Sequence, residues 1–228
     1  MNWRKKDGVR RVIRPLLRST AAWRLSGLTY YSAVAATRGK YVPVRQYVEE
    51  SRAQMSEVMA DIDLTGRRAL EFGTGIGGNL IALAGRLSVG IGIDINRGYV
   101  RIAKRISKRL GVGNLSFQAY DGGELPNLGQ FDLVFSIGVF ERLPKSLVRS
   151  YLVQLRRALA PGGVIALYFL GEGAKSTEFV TRLGEESYVY WQEEEVRKLT
   201  AESFGTKVRI VPFGRGAILA YATMPGVL

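Results

Sequence analysis

The sequence predicts an α/β fold: a mostly parallel sheet of about seven strands, helices on both faces, a terminal antiparallel hairpin and a helical amino-terminal extension. Three observations carry this prediction. From Arg67 onward, short apolar runs of strand length alternate with amphipathic helical stretches, the pattern of right-handed βαβ units. A glycine-rich turn, Gly73-Thr74-Gly75-Ile76-Gly77-Gly78, joins the first of these strands to the first helix. Near the carboxyl terminus two strand-like runs are separated only by Gly214-Arg215-Gly216, too short for a crossover and suited to a hairpin.

Taken in order, Val9, Val12, Ile13, Leu16 and Leu17 recur at helical spacing with Arg10, Arg11, Arg14 and Arg18 on the other side, and Pro15 bends or delays this helix. Pro43 precedes a longer helical pattern, Val44 to Ile62, which Leu64-Thr65-Gly66 ends. Strands are expected at 68–72, 89–93, 115–119, 131–136 and 163–169, and helices at 76–87, 98–110 and 146–159. A helix at 193–204 and strands at 208–213 and 217–223 complete the chain. The expected organisation is a basic helical extension over 1–63, acting as a cap or docking arm, followed by one α/β domain over 64–228.

The chain contains neither cysteine nor histidine. Disulfides, thiolate metal sites, cysteine nucleophiles and imidazole bases are therefore excluded as sources of chemistry. The 33 Lys/Arg against 20 Asp/Glu give a formal charge of +13. Residues 1–60 hold 12 of the basic and 4 of the acidic residues. Such an excess attracts anionic partners, so the basic amino terminus can meet a membrane surface or nucleic acid, or can simply dock its apolar side on the domain. No apolar run is long enough to span a bilayer, and the first residues lack a secretory core. The expected location is the cytoplasm, with peripheral membrane contact open.

The glycine turn lets the chain reverse sharply and lets a ligand touch backbone at a helix start. Gly73, Gly75 and Gly78 also satisfy the dinucleotide spacing GxGxxG, so a nicotinamide cofactor and a purely structural turn both stand as alternatives. Asp94 ends the second strand, where a carboxylate accepts both ribose hydroxyls or caps the next helix. Asp121-Gly122 follows the third strand, placed to meet an adenine amine or to make an ordinary turn.

With these residues the sequence resembles the class I, Rossmann-like S-adenosylmethionine-dependent methyltransferases, over roughly Leu64 to Phe169. Glu71, Gly73, Gly75 and Gly77 meet the family's acidic-x-Gly-x-Gly-x-Gly opening. Phe131-Asp132-Leu133-Val134-Phe135-Ser136-Ile137-Gly138-Val139 is similar to its fourth-strand motif. Leu155 to Gly163, ending Ala160-Pro161-Gly162-Gly163, is similar to its turn into the fifth strand. The resemblance implies S-adenosylmethionine as co-substrate. Glu71 and Gly73, Thr74, Gly75 and Gly77 would contact its methionine and ribose portions, Asp94 the ribose, and Ile95 the adenine face. Asp121 and Gly122 would read the adenine edge, and Ser136 and Gly138 would approach the reacting methyl.

One departure matters. Small-molecule members often read Val-Leu-Glu-His after the fourth-strand glycine, whereas this chain reads Val139-Phe140-Glu141-Arg142. Glu141 and Arg142 become the candidate catalytic residues, with a structural helix-start pair as the alternative. Glu141, an aspartate near the pocket, or a tyrosine from Tyr30, Tyr31 or Tyr41 are the candidate bases. No Asn/Asp-Pro-Pro-Tyr/Phe follows the fourth strand, no cysteine serves pyrimidine C5 chemistry, and no metal-dependent carboxylate cluster is apparent, so no metal is expected. The expected acceptor is a small molecule methylated at oxygen: a sugar, quinone, lipid or natural product. The alternative is RNA, drawn by Arg97, Arg101, Lys104, Arg105, Lys108 and Arg109 of the second helix, against the reading of a solvated face. Tyr188, Tyr190 and Trp191, in an insertion over 171–192, are expected to wall the acceptor or merely to pack.

Overall fold

The computed structural model describes residues 42–176, 188–205, 207–214 and 216–226. The basic segment up to Arg18, the tyrosines Tyr30, Tyr31 and Tyr41, residues 177–187 of the insertion and Arg215 of the hairpin turn lie outside the described residues.

Helix α1 spans Val44–Val58 and buries Val48, Ser51, Met55 and Val58, one stripe at helical spacing. Strand β1 (Arg67–Phe72) leads through the glycine turn to α2 (Gly78–Leu83). Then come β2 (Leu87–Asp94), α3 (Arg97–Arg109), β3 (Leu115–Ala119), β4 (Phe131–Ser136), α4 (Lys145–Arg157) and β5 (Leu159–Leu170). Helix α5 (Glu193–Phe204) and the strands β6 (Val208–Phe213) and β7 (Ala217–Thr223) finish the fold.

The seven strands form one sheet in the order β3-β2-β1-β4-β5-β7-β6. The pairs β1–β2, β2–β3, β1–β4 and β4–β5 are parallel. Strand β7 runs antiparallel to both β5 and β6, as the Gly-Arg-Gly turn predicts. This is the Rossmann-like methyltransferase topology. Leu133 and Phe135 of β4 join the core under α1, α2 and α3, while Val134 between them joins the core under α4 and α5, as does Phe131 before the register shift ahead of Leu133. Strand order reverses between β1 and β4, which opens a crevice beyond their carboxyl ends.

Three boundaries differ from the sequence expectation. Helix α1 stops at Val58, because the chain then turns to bury Met59, Ile62 and Leu64 in the same core. Helix α2 is short: Gly77 is left-handed at φ 83°, and Ala84–Arg86 tighten into a 3-10 turn before β2 starts at Leu87. Strand β5 begins at Leu159, not Gly163, since Leu159 already pairs with Phe131 before a register shift absorbs Ala160 to Gly163.

The hairpin is tied to α1. Tyr221 Oη donates 2.7 Å to the Val58 carbonyl, and Arg209 lies 4.2 Å from the Tyr221 ring centroid while pairing with Asp61 at 2.8 Å. Tyr221→Phe removes that hydrogen bond from a buried carbonyl. Stability should fall by about 1 kcal/mol, seen as a melting decrease of roughly 2–4 °C. An unchanged melting point would show that water replaces the hydroxyl.

Candidate active site

The glycine turn is built by an interlocking set of hydrogen bonds at the ends of β1 and β2. Glu71, 1% exposed, accepts from Thr74 Oγ1 at 2.6 Å and from Asn79 Nδ2 at 3.0 Å. Gly73 N and Thr74 N both donate to the Ile93 carbonyl, at 2.8 and 3.0 Å. Asp94 accepts from Gly75 N at 2.8 Å with one oxygen and from Asn96 N at 2.8 Å with the other. Asn96 in turn caps α3, its side chain accepting from Gly98 N and Tyr99 N.

Gly73 sits at φ 75°, and a Cβ there would strike Val139 Cγ2. Gly77, at φ 83°, packs against Phe117 and Ala103, where a Cβ would come within 3.0 Å of both. These two positions therefore need glycine for both conformation and space. Gly75, at φ 55°, faces open space instead.

Burial dominates the electrostatics. It pushes the Glu71 carboxyl up to about 8, against the hydrogen bonds from Thr74 and Asn79 and with help from the Asp94 charge. Burial likewise pushes Asp94 up to about 6, opposed by the Asn96 and Gly75 N–H groups.

The remaining expected residues lie on the neighbouring strand ends. Ile95 is half-buried just after β2. Asp121 is exposed and closes its own turn by accepting from Gly123 N at 2.9 Å, while the Gly122 carbonyl accepts from Tyr151 Oη at 2.6 Å. Ser136, fully buried, donates to the Phe72 carbonyl at 3.0 Å, which joins the ends of β4 and β1. Gly138 is exposed at φ 78°, and a Cβ on it would lie 3.7 Å from Glu141 Oε1.

Glu141 and Arg142 fall in a 3-10 turn, Phe140–Arg142. Phe140 anchors that turn in the core at 0% exposure. Glu141 is 5% exposed, and its Oε2 has no hydrogen-bond partner. Burial raises its carboxyl above the usual range, against the opposing pull of Arg142. Arg142 stacks 5.1 Å over the Tyr188 ring, and Val189 N donates to the Glu141 carbonyl at 2.7 Å. The tail of the insertion is thereby held against this turn.

Sequence reasoning missed Tyr47, Tyr99 and Tyr168. Tyr47 reaches over the first turn of α2, where a Cβ on Gly78 would strike its ring. Burial pushes the Tyr99 hydroxyl up, Asp94 adding to the shift and Arg142 opposing it. Burial likewise pushes the Tyr168 hydroxyl up, with Glu141 adding to the shift and Arg142 opposing it. The available signal was position: Tyr99 follows Asp94 by one helix cap, and Tyr168 lies two residues before the end of β5, near the insertion.

Two cavities lie away from this cluster. One of about 470 Å³, lined by Asp61, Arg67, Lys207 and Arg209, sits at the amino ends of β1 and β5. Another of about 480 Å³ lies beside Arg52, Ala84 and Arg86. Among the described residues no group of three or more His, Cys, Asp or Glu is placed to hold a metal ion. No described helix is long and apolar enough to cross a membrane.

Residues 69–163 match the family described as a methyltransferase domain. Magnesium-protoporphyrin O-methyltransferase of Rhodobacter capsulatus is 37% identical over 111 residues, 46% of this chain and 49% of that protein. Protein-L-isoaspartate O-methyltransferase of Saccharophagus degradans is 29% identical over 135 residues, 59% of this chain and 56% of that protein. The chain thus spans about half the length of the curated relatives it matches. The structure of magnesium protoporphyrin IX methyltransferase from Synechocystis PCC 6803 with bound S-adenosylhomocysteine aligns with a TM-score of 0.64 at 18% identity. That alignment covers 94% of this chain and 99% of that one. At this identity the likeness shows the fold.

Proposed function

We propose that this chain, whose residues 69–163 match a methyltransferase domain, is a class I S-adenosylmethionine-dependent enzyme that transfers a methyl group to an oxygen of a small-molecule acceptor. The observation that carries the reading is Asp94, fixed by Gly75 N and Asn96 N at the carboxyl end of β2, the strand next to β1 and its glycine turn. Each carboxylate oxygen holds one backbone N–H, which leaves acceptor capacity for the two ribose hydroxyls. Gly75 offers backbone to open space beside it, the feature a closely approaching ligand requires.

In this reading Glu71, Gly73, Thr74, Gly75 and Gly77 shape the methionine and ribose site, and Ile95, Asp121 and Gly122 the adenine site. Ser136 and Gly138 stand nearest the acceptor, with Glu141 and Arg142 beside them. S-adenosylmethionine, when bound, supplies an electrophilic methyl on sulfonium; the protein supplies alignment and a shielded, preorganised surround. Tyr47 of α1 packs over the first turn of α2 beside this site, which supports reading α1 as part of a cap over the acceptor.

Titration calorimetry tests this. S-adenosylhomocysteine should bind and NAD should not. Binding of NAD without S-adenosylhomocysteine would refute the assignment. A second reading, an RNA acceptor, draws on α3: Arg97, Arg101, Lys104, Arg105, Lys108 and Arg109 are all exposed along that helix. Methyl transfer from labelled S-adenosylmethionine into small-molecule and RNA fractions separates the two, label in RNA alone favouring the second.

A further inference from the structure

We propose that the cavity at the amino pole of the sheet is a second ligand site, selective for a small phosphate monoester. It lies at the opposite pole from the glycine turn. Strand β1 runs from Arg67, on the cavity wall, to Phe72, just before that turn, a length of about 20 Å. None of the residues placed in the cofactor or acceptor sites lines this cavity, so the proposal stands apart from the methyltransferase reading.

Four segments of the chain build the walls. The turn after α1 supplies Asp61 and Asp63, and the start of β1 supplies Arg67. Near the start of the paired part of β5 comes Val164, and the approach to β6 brings Lys207 and Arg209. A register irregularity between Arg67 and Arg68 interrupts the alternation of β1, the kind of break that re-aims a side chain. The volume, about 470 Å³, is that of a site for a small organic molecule rather than for a single ion.

The charges in these walls do not balance. Asp61 is engaged by Arg209 at 2.8 Å, and that guanidinium lies 4.2 Å from the Tyr221 ring centroid. Asp63 accepts from Thr65 N at 3.0 Å within its own turn. The Thr65 hydrogen bonds, and then the charges of Arg67 and Arg86, hold its carboxyl below the usual range. The field of Asp63 is therefore divided between Arg67, inside the cavity, and Arg86, which does not line it. Arg67 makes one long hydrogen bond, 3.4 Å to the Asp132 carbonyl, and no ion pair among the described residues. The Lys207 side chain is exposed and makes neither a hydrogen bond nor an ion pair among the described residues. Two cations thus share one cavity without a close counter-charge.

That surplus selects the ligand. A phosphate monoester carries about −1.5 to −2 charge at neutral pH and three acceptor oxygens, enough to meet a guanidinium and an ammonium together. A carboxylate or a sulfate ester brings one charge and leaves the second cation unmatched. Thr223, at the end of β7, adds a neutral hydroxyl to the same wall. Ile62, Val164 and Ala222 give the remainder an apolar surface, which suits the organic body of an ester better than free inorganic phosphate.

Calorimetry on the full chain tests this with phenyl phosphate and phenyl sulfate, which share a body and differ in charge. The phosphate should bind at least about tenfold more tightly, since its second charge meets a second cation. Inorganic phosphate should bind more weakly than phenyl phosphate. Saturating S-adenosylhomocysteine should leave these affinities unchanged. Lys207→Met, at an exposed position, should erase the preference while the melting temperature holds, and Arg67→Met should do the same. Lys104→Met combined with Lys108→Met on α3 should leave the preference intact, because those cations lie outside the cavity. Equal binding of the two probes, binding of neither, or a preference that survives Lys207→Met would overturn the proposal. So would competition with S-adenosylhomocysteine, or loss of the preference in the α3 variant, either of which puts the anion elsewhere. Failure of S-adenosylhomocysteine to bind at all would touch the methyltransferase reading alone.

Discussion

Phe72→Ala should lower the unfolding free energy by about 3–5 kcal/mol, the usual cost of deleting a fully buried phenyl ring. Phe72 is 2% exposed and stands directly before the glycine turn. Its ring centroid lies 4.8 Å from that of Tyr151, 5.9 Å from Phe140 and 6.3 Å from Tyr120. Phe140 continues the chain of rings to Phe169 and Trp191. The cavity left by alanine would thus open beneath the Phe140–Arg142 turn and beside Tyr151, which holds the Gly122 carbonyl. Denaturant titration should show a lower midpoint at unchanged slope. Affinity for S-adenosylhomocysteine should fall as well, because both anchors belong to the proposed site. A loss below about 1 kcal/mol would mean that neighbouring rings collapse into the space.

Asp94→Ala should weaken S-adenosylhomocysteine binding by roughly 1.5–3 kcal/mol, or about 10- to 150-fold, through loss of charge-assisted hydrogen bonds to ribose. The same residue sets a pH dependence. Its folded-state pKa is raised to about 6, so the proton is held more firmly in the fold than in the unfolded chain. That contribution to stability is fully present below the unfolded value, about 3.9, and is lost as pH rises through 6. Ligand binding runs the other way, because the ribose hydroxyls donate to the ionised form. Affinity should therefore climb about tenfold per pH unit up to roughly pH 6 and then level off. Asp94→Ala should flatten this limb. Calorimetry from pH 5 to pH 8 distinguishes the two shapes, and an identical slope in the variant would assign the titration elsewhere, Glu71 being the nearest coupled carboxyl.

The cofactor half of the proposed site was legible because its parts are local. A strand end, a glycine turn and a helix cap follow one another in the chain, so Glu71, Gly73, Thr74, Gly75, Gly77 and Asp94 announce themselves by spacing. The structure joins these six through hydrogen bonds no longer than 3.0 Å that link the turn to the end of β2. The acceptor half was legible only as two names, Glu141 and Arg142. A glutamate in a short turn reads as a solvated charge, and nothing in its neighbours reports that Phe140 drags the turn into the core. The tyrosines were harder still, since an aromatic residue at helical or strand spacing reads as ordinary packing.

By itself, the sequence determined the order of strands and helices, the parallel sheet with its closing hairpin, the likeness to a methyltransferase domain over residues 69–163 and the absence of imidazole or thiol chemistry. These follow from periodicity, composition and contiguous motifs, which are properties of neighbouring residues. Only the tertiary structure decided that Glu141 Oε2 is buried without a partner, that Arg142 lies over Tyr188, and that Tyr47 reaches over the first turn of α2 beside Gly78. The reason is physical: desolvation and electrostatic range depend on which segments meet in space. Here that meeting is fixed by β4 inserting beside β1, and by α1 folding back over the first turn of α2.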